Sequence, residues 1–242
     1  MRVLTGLILF LTTTGSATIS LMIVLGHSPL VKNDVVSFAS NFYAVEEDRY
    51  TITHWLHVMD TKRGLLHSVV EGMNINYHSW SPDGSRIAFS TAGTNGNAVY
   101  VINQDGSGLR RIASGGQMPV WQNAETLIFH DAHDSTRRYS LNVNESEPVV
   151  HQVTSISPDV QNNLLVPVTV WNQLSSGERR IAAIMWENYR ASNDGAYAFT
   201  AIDPNRQDGA LFHIYLVDED GGNLRPLTTA TYRDDYFPAW RP

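Results

Sequence analysis

One internal self-similarity constrains this chain more than any other feature. The segment VYVINQDGSGLRRI, Val99 to Ile112, aligns without a gap on VTVWNQLSSGERRI, Val168 to Ile181, with nine of fourteen positions identical. It aligns again on Ile214 to Leu227, where Tyr100/Tyr215, Asp105/Asp220, Gly106/Gly221, Leu109/Leu224 and Arg110/Arg225 coincide. A sequence that rewrites one short unit builds its core by stacking copies of that unit. Each copy reads as strand, tight turn, strand. Val99 and Val101 alternate with Tyr100 and Ile102, as in a strand packed on both faces. Asp105-Gly106 and Asp220-Gly221 supply turn residues that tolerate positive φ.

Two further elements recur around each hairpin. Ser81-Pro82-Asp83-Gly84 precedes the strand Arg86-Ile-Ala-Phe-Ser90, and Ser192-Asn193-Asp194-Gly195 precedes Ala196-Tyr-Ala-Phe-Thr200, with Ser157-Pro158-Asp159 as a degraded copy. Proline fixes φ, aspartate bonds the backbone two residues on, and glycine takes the left-handed corner, so turn chemistry explains all four residues. Each unit then ends on an aromatic: Tyr77-His78-Ser79-Trp80, Met118-Pro119-Val120-Trp121, Ile184-Met185-Trp186 and Phe237-Pro238-Ala239-Trp240. Units starting at 81, 122, 157 and 192 and ending at 240 are spaced by 41, 35, 35 and 49 residues. Four short strands per ~40 residues is the period of a propeller blade.

These residues resemble the TolB-like β-propeller repeats, also called PD40 or WD40-like repeats. Their signature runs Pro-x-Trp-Ser-Pro-Asp-Gly, then an Ile-Ala-Phe strand, then an Asp-Gly hairpin followed by Leu-Arg-x-Leu. Trp80-Ser81-Pro82-Asp83-Gly84, Ile87-Ala88-Phe89, Asp105-Gly106 and Arg110-Arg111-Ile112 carry the resemblance best, and the copy from Ser192 to Trp240 nearly as well. It is weak over 35–79, 122–156 and 157–191, where Val160 stands in place of the turn glycine. The resemblance implies an all-β propeller over residues 35–242 that binds a partner in the cell envelope.

The two ends of the repeat region complement each other. The chain stops just after an innermost-strand segment, Phe237 to Trp240, and the repeat region opens on Val35 to Ser40, which has the character of the strand following the turn. A ring in which the C-terminal strand completes the first blade hides sheet edges that otherwise invite aggregation. Units 35–80, 81–121, 122–156, 157–191 and 192–240 give five blades, with four or six as alternatives.

Ahead of the repeats, Val3 to Leu25 contains no charged residue. As a helix it would reach about 34 Å, enough for a bilayer core of about 30 Å. Residues 1–26 are therefore expected to be a signal-anchor or transmembrane helix, with 27–34 as linker. Gly15-Ser16-Ala17 would also suit cleavage as a signal peptide. Arg2 and the α-amino group favour a cytoplasmic N-terminus, which puts the propeller on the extracytoplasmic side, periplasmic or secreted if the leader is removed.

Candidate chemistry is sparse. Lys and Arg total 17 against 24 Asp and Glu, a net charge of −7, which excludes a nucleic-acid footprint. With no cysteine there is no disulfide framework, thiolate metal site or Cys nucleophile. His54 and His57 sit three apart on a strand and so face opposite ways, and His130 and His133 read as a polar edge loop, so no metal site is expected. Asp218-Glu219-Asp220-Gly221 lacks the spaced ligands of a calcium loop. No nucleophile elbow occurs, and Asn144-Glu145-Ser146 is a lone glycosylation sequon. Glycosidases place paired carboxylates about 5–9.5 Å apart, but no acid falls inside an innermost strand.

No catalytic residue, metal or cofactor is therefore expected. The candidate binding positions, at the axis or on loops, are Tyr77, His78, Glu187, Asp234 and Asp235. Trp80, Trp121, Trp186 and Trp240 are assigned to blade-to-blade core, with Pro119 and Pro238 ending the pairing edge; Trp55 and Trp171 fall outside that series. A protein or peptide partner is the favoured reading, with a glycan-binding or glycan-active propeller, glycoside hydrolase-like, as the alternative.

Overall fold

The computed structural model describes residues 34–46, 49–93, 96–154, 196–202, 212–218, 222–230 and 233–242. The apolar segment 3–25, the repeat copy at 157–191, the turn residues Asp194, Gly195, Asp220 and Gly221, and Glu187, Trp171 and Trp186 lie outside the described residues.

The described chain is all-β, and its strands form four antiparallel sheets. The first contains β1 (Val35–Glu46), β2 (Arg49–Asp60), β3 (Leu65–Glu71) and the last strand, β15 (Arg233–Trp240), in the order β15-β1-β2-β3. The second contains β4 (Ile75–Trp80), β5 (Arg86–Thr91), β6 (Ala98–Asn103) and β7 (Arg110–Ser114) in chain order. The third contains β8 (Gly116–Trp121), β9 (Thr126–Asp131), β10 (Arg138–Asn142) and β11 (His151–Val153), and the last β12 (Ala196–Ile202), β13 (Phe212–Asp218) and β14 (Arg225–Pro226).

The sequence repeat is offset from the sheets by one strand. Trp80 ends the unit 35–80, yet its strand β4 pairs with β5 of the next unit. The same offset brings β15 back to β1, with Val36 opposite Trp240, Ser37 opposite Ala239 and Ser40 opposite Asp235. The two ends of the repeat region thus share one sheet, and Arg241 N–H extends the ladder to Val35 O at 2.8 Å.

The alternation in β6 resolves into two cores. Ile102 and Tyr100 face the cluster shared with the first sheet, where Leu56, Val58, Trp80, Ile87 and Phe89 are buried. Val99 and Val101 face the cluster shared with the third, with Trp121, Leu127, Phe129 and Leu141. The first sheet packs its other face, Val36, Phe38 and Trp240, on Ala198, Ile214 and Leu216 of the last sheet. The first and second sheets are thus each a layer between two neighbours, which is why their strand sequences are apolar in both registers.

The recurrent tryptophans connect the layers. Trp80 Nε1–H donates to Ala239 O at 3.0 Å, and Trp121 Nε1–H donates to Ser79 O at 3.1 Å. In both, the acceptor is the residue just before the tryptophan of the preceding innermost strand. An indole N–H in a dry interface needs a partner, and the repeat supplies one at a fixed offset. Arg86 adds a second tie, its guanidinium lying 5.2 Å from the Trp121 ring centroid and donating to Ala124 O and to Asn144 Oδ1.

The turns behave as turn chemistry requires. Gly84 N–H donates to Ser81 O at 2.8 Å, Ser81 Oγ–H to Asp83 Oδ1 at 2.5 Å, and Gly84 adopts φ +68°. A Cβ at Gly84 would also lie 2.9 Å from Arg241 Cγ, so glycine is required twice over. Gly106, at φ +86°, turns the second hairpin, with Asp105 Oδ1 accepting from Ser107 N–H. The prolines depart from the expectation that they end the pairing edge. Pro119 and Pro238 lie inside β8 and β15 at register shifts, and pairing resumes beyond them at Val120 opposite Ile128 and at Ala239 opposite Ser37. A proline lacks the ladder N–H, and a bulge absorbs that loss without stopping the strand.

Replacing Trp121 by Phe is expected to destabilise the fold by about 1–2 kcal/mol, because Ser79 O stays buried and loses its donor. Replacing it by Ala should cost about 3–5 kcal/mol through the added cavity. Urea denaturation of the three proteins, monitored by far-ultraviolet circular dichroism, measures both.

Candidate functional site

Of the five binding positions read from the sequence, four lie among the described residues, and three of them sit where the last strand meets the first. Asp234 is buried and accepts three hydrogen bonds. Tyr43 OH donates at 2.7 Å and Tyr236 OH at 2.8 Å, both to Oδ2, and Phe212 N–H donates at 2.8 Å to Oδ1. It therefore joins β1, β15 and the first residue of β13 in the neighbouring sheet. Burial, together with the bond to Asp234, raises both phenol pKa values above the ordinary tyrosine range.

Asp235 projects from the other side of the strand. It is 0% exposed, accepts from Ser40 Oγ–H at 2.6 Å, and pairs with Arg233 Nε at 2.8 Å. The carboxylate is thus neutralised and hydrogen-bonded, the condition under which a buried charge is tolerated. His78, also buried, meets Ser37 Oγ through Nε2 at 2.8 Å, and Ser37 Oγ–H donates on to Ala239 O at 3.3 Å. Tyr77 is buried at the same innermost level of β4. Asp234, Asp235 and His78 therefore each bond a different residue of β1, Tyr43, Ser40 and Ser37, with Asp235 on the opposite face of the sheet from Asp234.

Sequence reasoning missed the partners. Ser40 and Tyr43 stand more than 190 positions from the acids they bind, and no local pattern marks them. The only available signal was the complementarity of the two chain ends, which places 35–43 opposite 233–240.

The histidine pair behaves as strand geometry demands. His54 lies opposite Asn41 and bonds its Oδ1 at 2.7 Å, whereas His57 lies opposite Phe38 on the other face and meets Ser68 Oγ through Nδ1 at 3.0 Å. His130 Nδ1 meets Ser135 O at 2.8 Å within its edge loop. Among the described residues, no group of three or more His, Asp or Glu side chains is placed to hold a metal ion.

The second notable feature is the length of the first hairpin. β1 and β2 each span 12 residues and pair throughout, from Val35 opposite Asp60 to Glu46 opposite Arg49. β15 follows β1 only to Phe42, and β3 follows β2 only from Trp55. The distal part of the hairpin thus continues beyond both flanking strands, with exposed Phe42 (42%) at the last position paired with β15 and exposed Ile52 (46%) just past it. The two strands of an isolated hairpin are marginally stable in water, so this part depends on the sheet beneath it.

No family model and no curated protein sequence matches this chain. Its structure is similar to that of TolB from Acinetobacter baumannii, with a TM-score of 0.51 and 15% identity over 87% of this chain and 67% of that one. The β-propeller domain of the Trilobed protease from Pyrococcus furiosus gives a TM-score of 0.40 and 12% identity over 85% of this chain and 57% of that one. An acylaminoacyl peptidase from Pyrococcus horikoshii gives 0.38 and 13% over 85% and 32%. This chain spans about two thirds or less of each. The likeness to TolB is one of fold: the chain has the architecture of a β-propeller.

Two outcomes test the junction. Asp234→Asn should lower stability by about 2 kcal/mol, since charge-assisted bonds to two phenols become neutral ones, and hydrogen exchange should rise in 35–44 and 233–240 before it rises in 86–114. His57 supplies a pH signature: burial first, then the Arg233 charge, pulls its pKa from 6.5 down to about 3. Between those values the unfolded chain binds the extra proton, so this contribution to stability is present above pH 6.5 and is lost as pH falls toward 3. Melting temperatures of wild type and His57→Phe, followed from pH 7 to pH 4, should show the shallower pH dependence in the variant.

Proposed function

We propose that this chain is a membrane-tethered, extracytoplasmic β-propeller of five blades that holds a protein or peptide partner in the cell envelope. The observation that carries this reading is the overlong first hairpin with exposed Phe42 and Ile52. Between β2 and β11, where the described connections are short, function resides in what projects from the scaffold. At about 3.4 Å per residue the hairpin tip lies some 37 Å along β1 from Val35. Val35 is the end nearer the apolar segment 3–25, so a tether there presents the hairpin away from the membrane.

The blade count rests on the tryptophan rule. Trp80 and Trp121 each find the carbonyl preceding the previous tryptophan, and Trp240 Nε1 is buried with no partner among the described residues. One such link ties consecutive units in chain order and the other ties the last unit to the first, which supports reading each sequence unit from 35–80 to 192–240 as one blade, five in all. A binding role rather than catalysis is supported by the two acids of β15: Asp234 and Asp235 are committed to hydrogen bonds and an ion pair at the junction. A glycan-binding propeller is the second reading, favoured by Trp55, which stands outside the core tryptophan series.

A photoreactive amino acid at position 52, in native membranes, is the direct test. It should capture a discrete partner that a probe at Leu109, an exposed position in the turn between β6 and β7, does not, and Phe42→Ser should weaken the capture. Equal capture at both positions, or none at 52, would defeat the proposal. N-terminal sequencing of the membrane fraction should return residue 1 or 2 for an anchor.

A further inference from the structure

The exposed apolar side chains of this molecule are not scattered. Apart from Phe42 and Ile52 on the long hairpin, the large ones among the described residues are Leu65, Leu66, Leu109, Val149 and Val150. Each stands at the opening of an outermost strand or just before it. Leu65 and Leu66 begin β3, Leu109 precedes Arg110 of β7, and Val149 and Val150 precede His151 of β11. Single exposed apolar residues need no explanation, whereas a group gathered in one place marks a surface that meets something other than water.

Register and hydrogen bonds put the three openings on one rim. Val35 lies opposite Asp60, and Asp60 opposite Leu65, so Leu65 is level with the start of β1. Arg241 bonds Val35 O through its N–H and Gln104 Oε1 through Nη1, both at 2.8 Å, while Gln104 O meets His67 Nε2 at 3.3 Å. The turn ahead of Leu109 therefore sits against this end of the first sheet. Arg110 in turn donates to Glu145 O at 2.6 Å and to Val143 O, which joins the turn ahead of Val149 to that of Leu109. The tip of the long hairpin, between Glu46 and Arg49, is at the opposite end of β1 and β2.

The occupant of the rim follows from where residues 3–25 join the fold. Asp34 is fixed against the turn that leads into Leu65. Its carbonyl accepts from Thr61 N–H at 2.8 Å and from Thr61 Oγ–H at 3.0 Å, and its carboxylate pairs with Lys62 Nζ at 2.6 Å. The uncharged run ends at Leu25, and the intervening residues, fully extended, span at most about 30 Å. A bilayer that holds residues 3–25 thus has this rim within reach, and at such a tether length even a weak contact is populated. Charges of both signs punctuate the rim, exposed Arg63 and Arg111 against exposed Asp105, Glu145 and Glu147. They give no net attraction to an anionic surface, so the apolar side chains are what lipid would hold.

We propose that this rim seats the propeller on the membrane, with Leu65, Leu66, Leu109, Val149 and Val150 entering the headgroup region of the bilayer. The inference rests on the tether reading above and adds to it a fixed orientation, with the long hairpin pointing away from the lipid.

The chain contains no cysteine, so Leu66→Cys, Leu109→Cys and Ile52→Cys each accept a single nitrobenzoxadiazole label. The labelled full-length chains are reconstituted into phosphatidylcholine vesicles with and without doxyl-labelled phosphatidylcholine. Labels at 66 and 109 should lose fluorescence to the lipid quencher, and the label at 52 should keep it. Adding Leu65→Glu should shift the seating equilibrium read at 109 roughly tenfold toward the unquenched state, since a part-inserted leucine gives way to a charge. An unchanged melting temperature shows that this variant is folded, and the labels at 66 and 109 in the otherwise unaltered chain test the contact without it. Chain that leaves the vesicles on alkaline washing would defeat the tether reading and this inference with it. Chain that stays, with the label at 66 quenched no more than the label at 52, would overturn this inference alone. So would a label at 66 shielded from aqueous iodide yet untouched by the lipid quencher, because a protein or a second copy of the chain then covers the rim.

Discussion

A tryptophan side chain brings into a protein interior both a large apolar surface and one N–H that has to be satisfied there. In this chain the innermost strand of the second and of the third sheet ends in such a residue, and the N–H is met by the backbone carbonyl one position before the preceding tryptophan. That offset fixes how far each sheet can slide or rotate against the one before it, because a shift of one residue would strand the indole and bury an unanswered carbonyl. The apolar clusters between sheets supply most of the stabilisation, yet they are tolerant of displacement in a way that a directional bond is not. Registration between layers therefore rests on the tryptophans, and the position of everything built on the sheets follows from it.

The junction between the first and last strands meets a different requirement. From β1 to β11, consecutive strands are joined by short connections, and neighbourhood in sequence brings them together. β15 must find β1 from the far end of the chain, and it does so with polar side chains: Asp234 to Tyr43, Asp235 to Ser40, and the backbone bond from Arg241 to Val35. Hydrogen bonds add little net stability but penalise misalignment heavily. Placing two buried acids in adjacent positions of this one strand makes a slipped register cost far more than an apolar seam would.

Much of this was legible in the sequence because repetition isolates structural need from local noise. Val99 to Ile112, compared with its copies, exposed the hairpin, the turn chemistry and the two-faced strand, and the complementary ends pointed to the pairing of 236–240 with 35–40 that the register displays. The long reach of β1 and β2 was not legible. Residues 41–54 match no other unit, and nothing in Asn41-Phe-Tyr-Ala-Val45 distinguishes a strand that outruns its neighbours from one that stops at a turn. Asp234 and Asp235 were singled out as acids near an axis, but their role depends on Ser40 and Tyr43, and contacts across most of the chain leave no trace in local pattern. The prolines were misread for a related reason: a proline at a bulge and a proline at a strand end look alike until the partner strand is seen.

That bulge carries one more consequence. Met118 and Phe237 occupy the same repeat position, each immediately before a proline, and both adopt positive φ, +51° and +53°. For bulky side chains this is a strained conformation, and it must be held by something other than local preference. In both cases a hydroxyl from the sheet before it accepts the amide N–H: Ser90 at 3.4 Å for Met118, and Thr200 at 3.2 Å for Phe237. Ser90 and Thr200 are themselves equivalent, each following the Ala-Phe pair of its strand. The strain in one sheet is thus offset by a side chain of its neighbour, so the innermost strands take their shape only when the layers are assembled. A sheet of this kind cut from its neighbours would lose the support for its bulge along with its core. The repeat is therefore a unit of sequence without being a unit of folding.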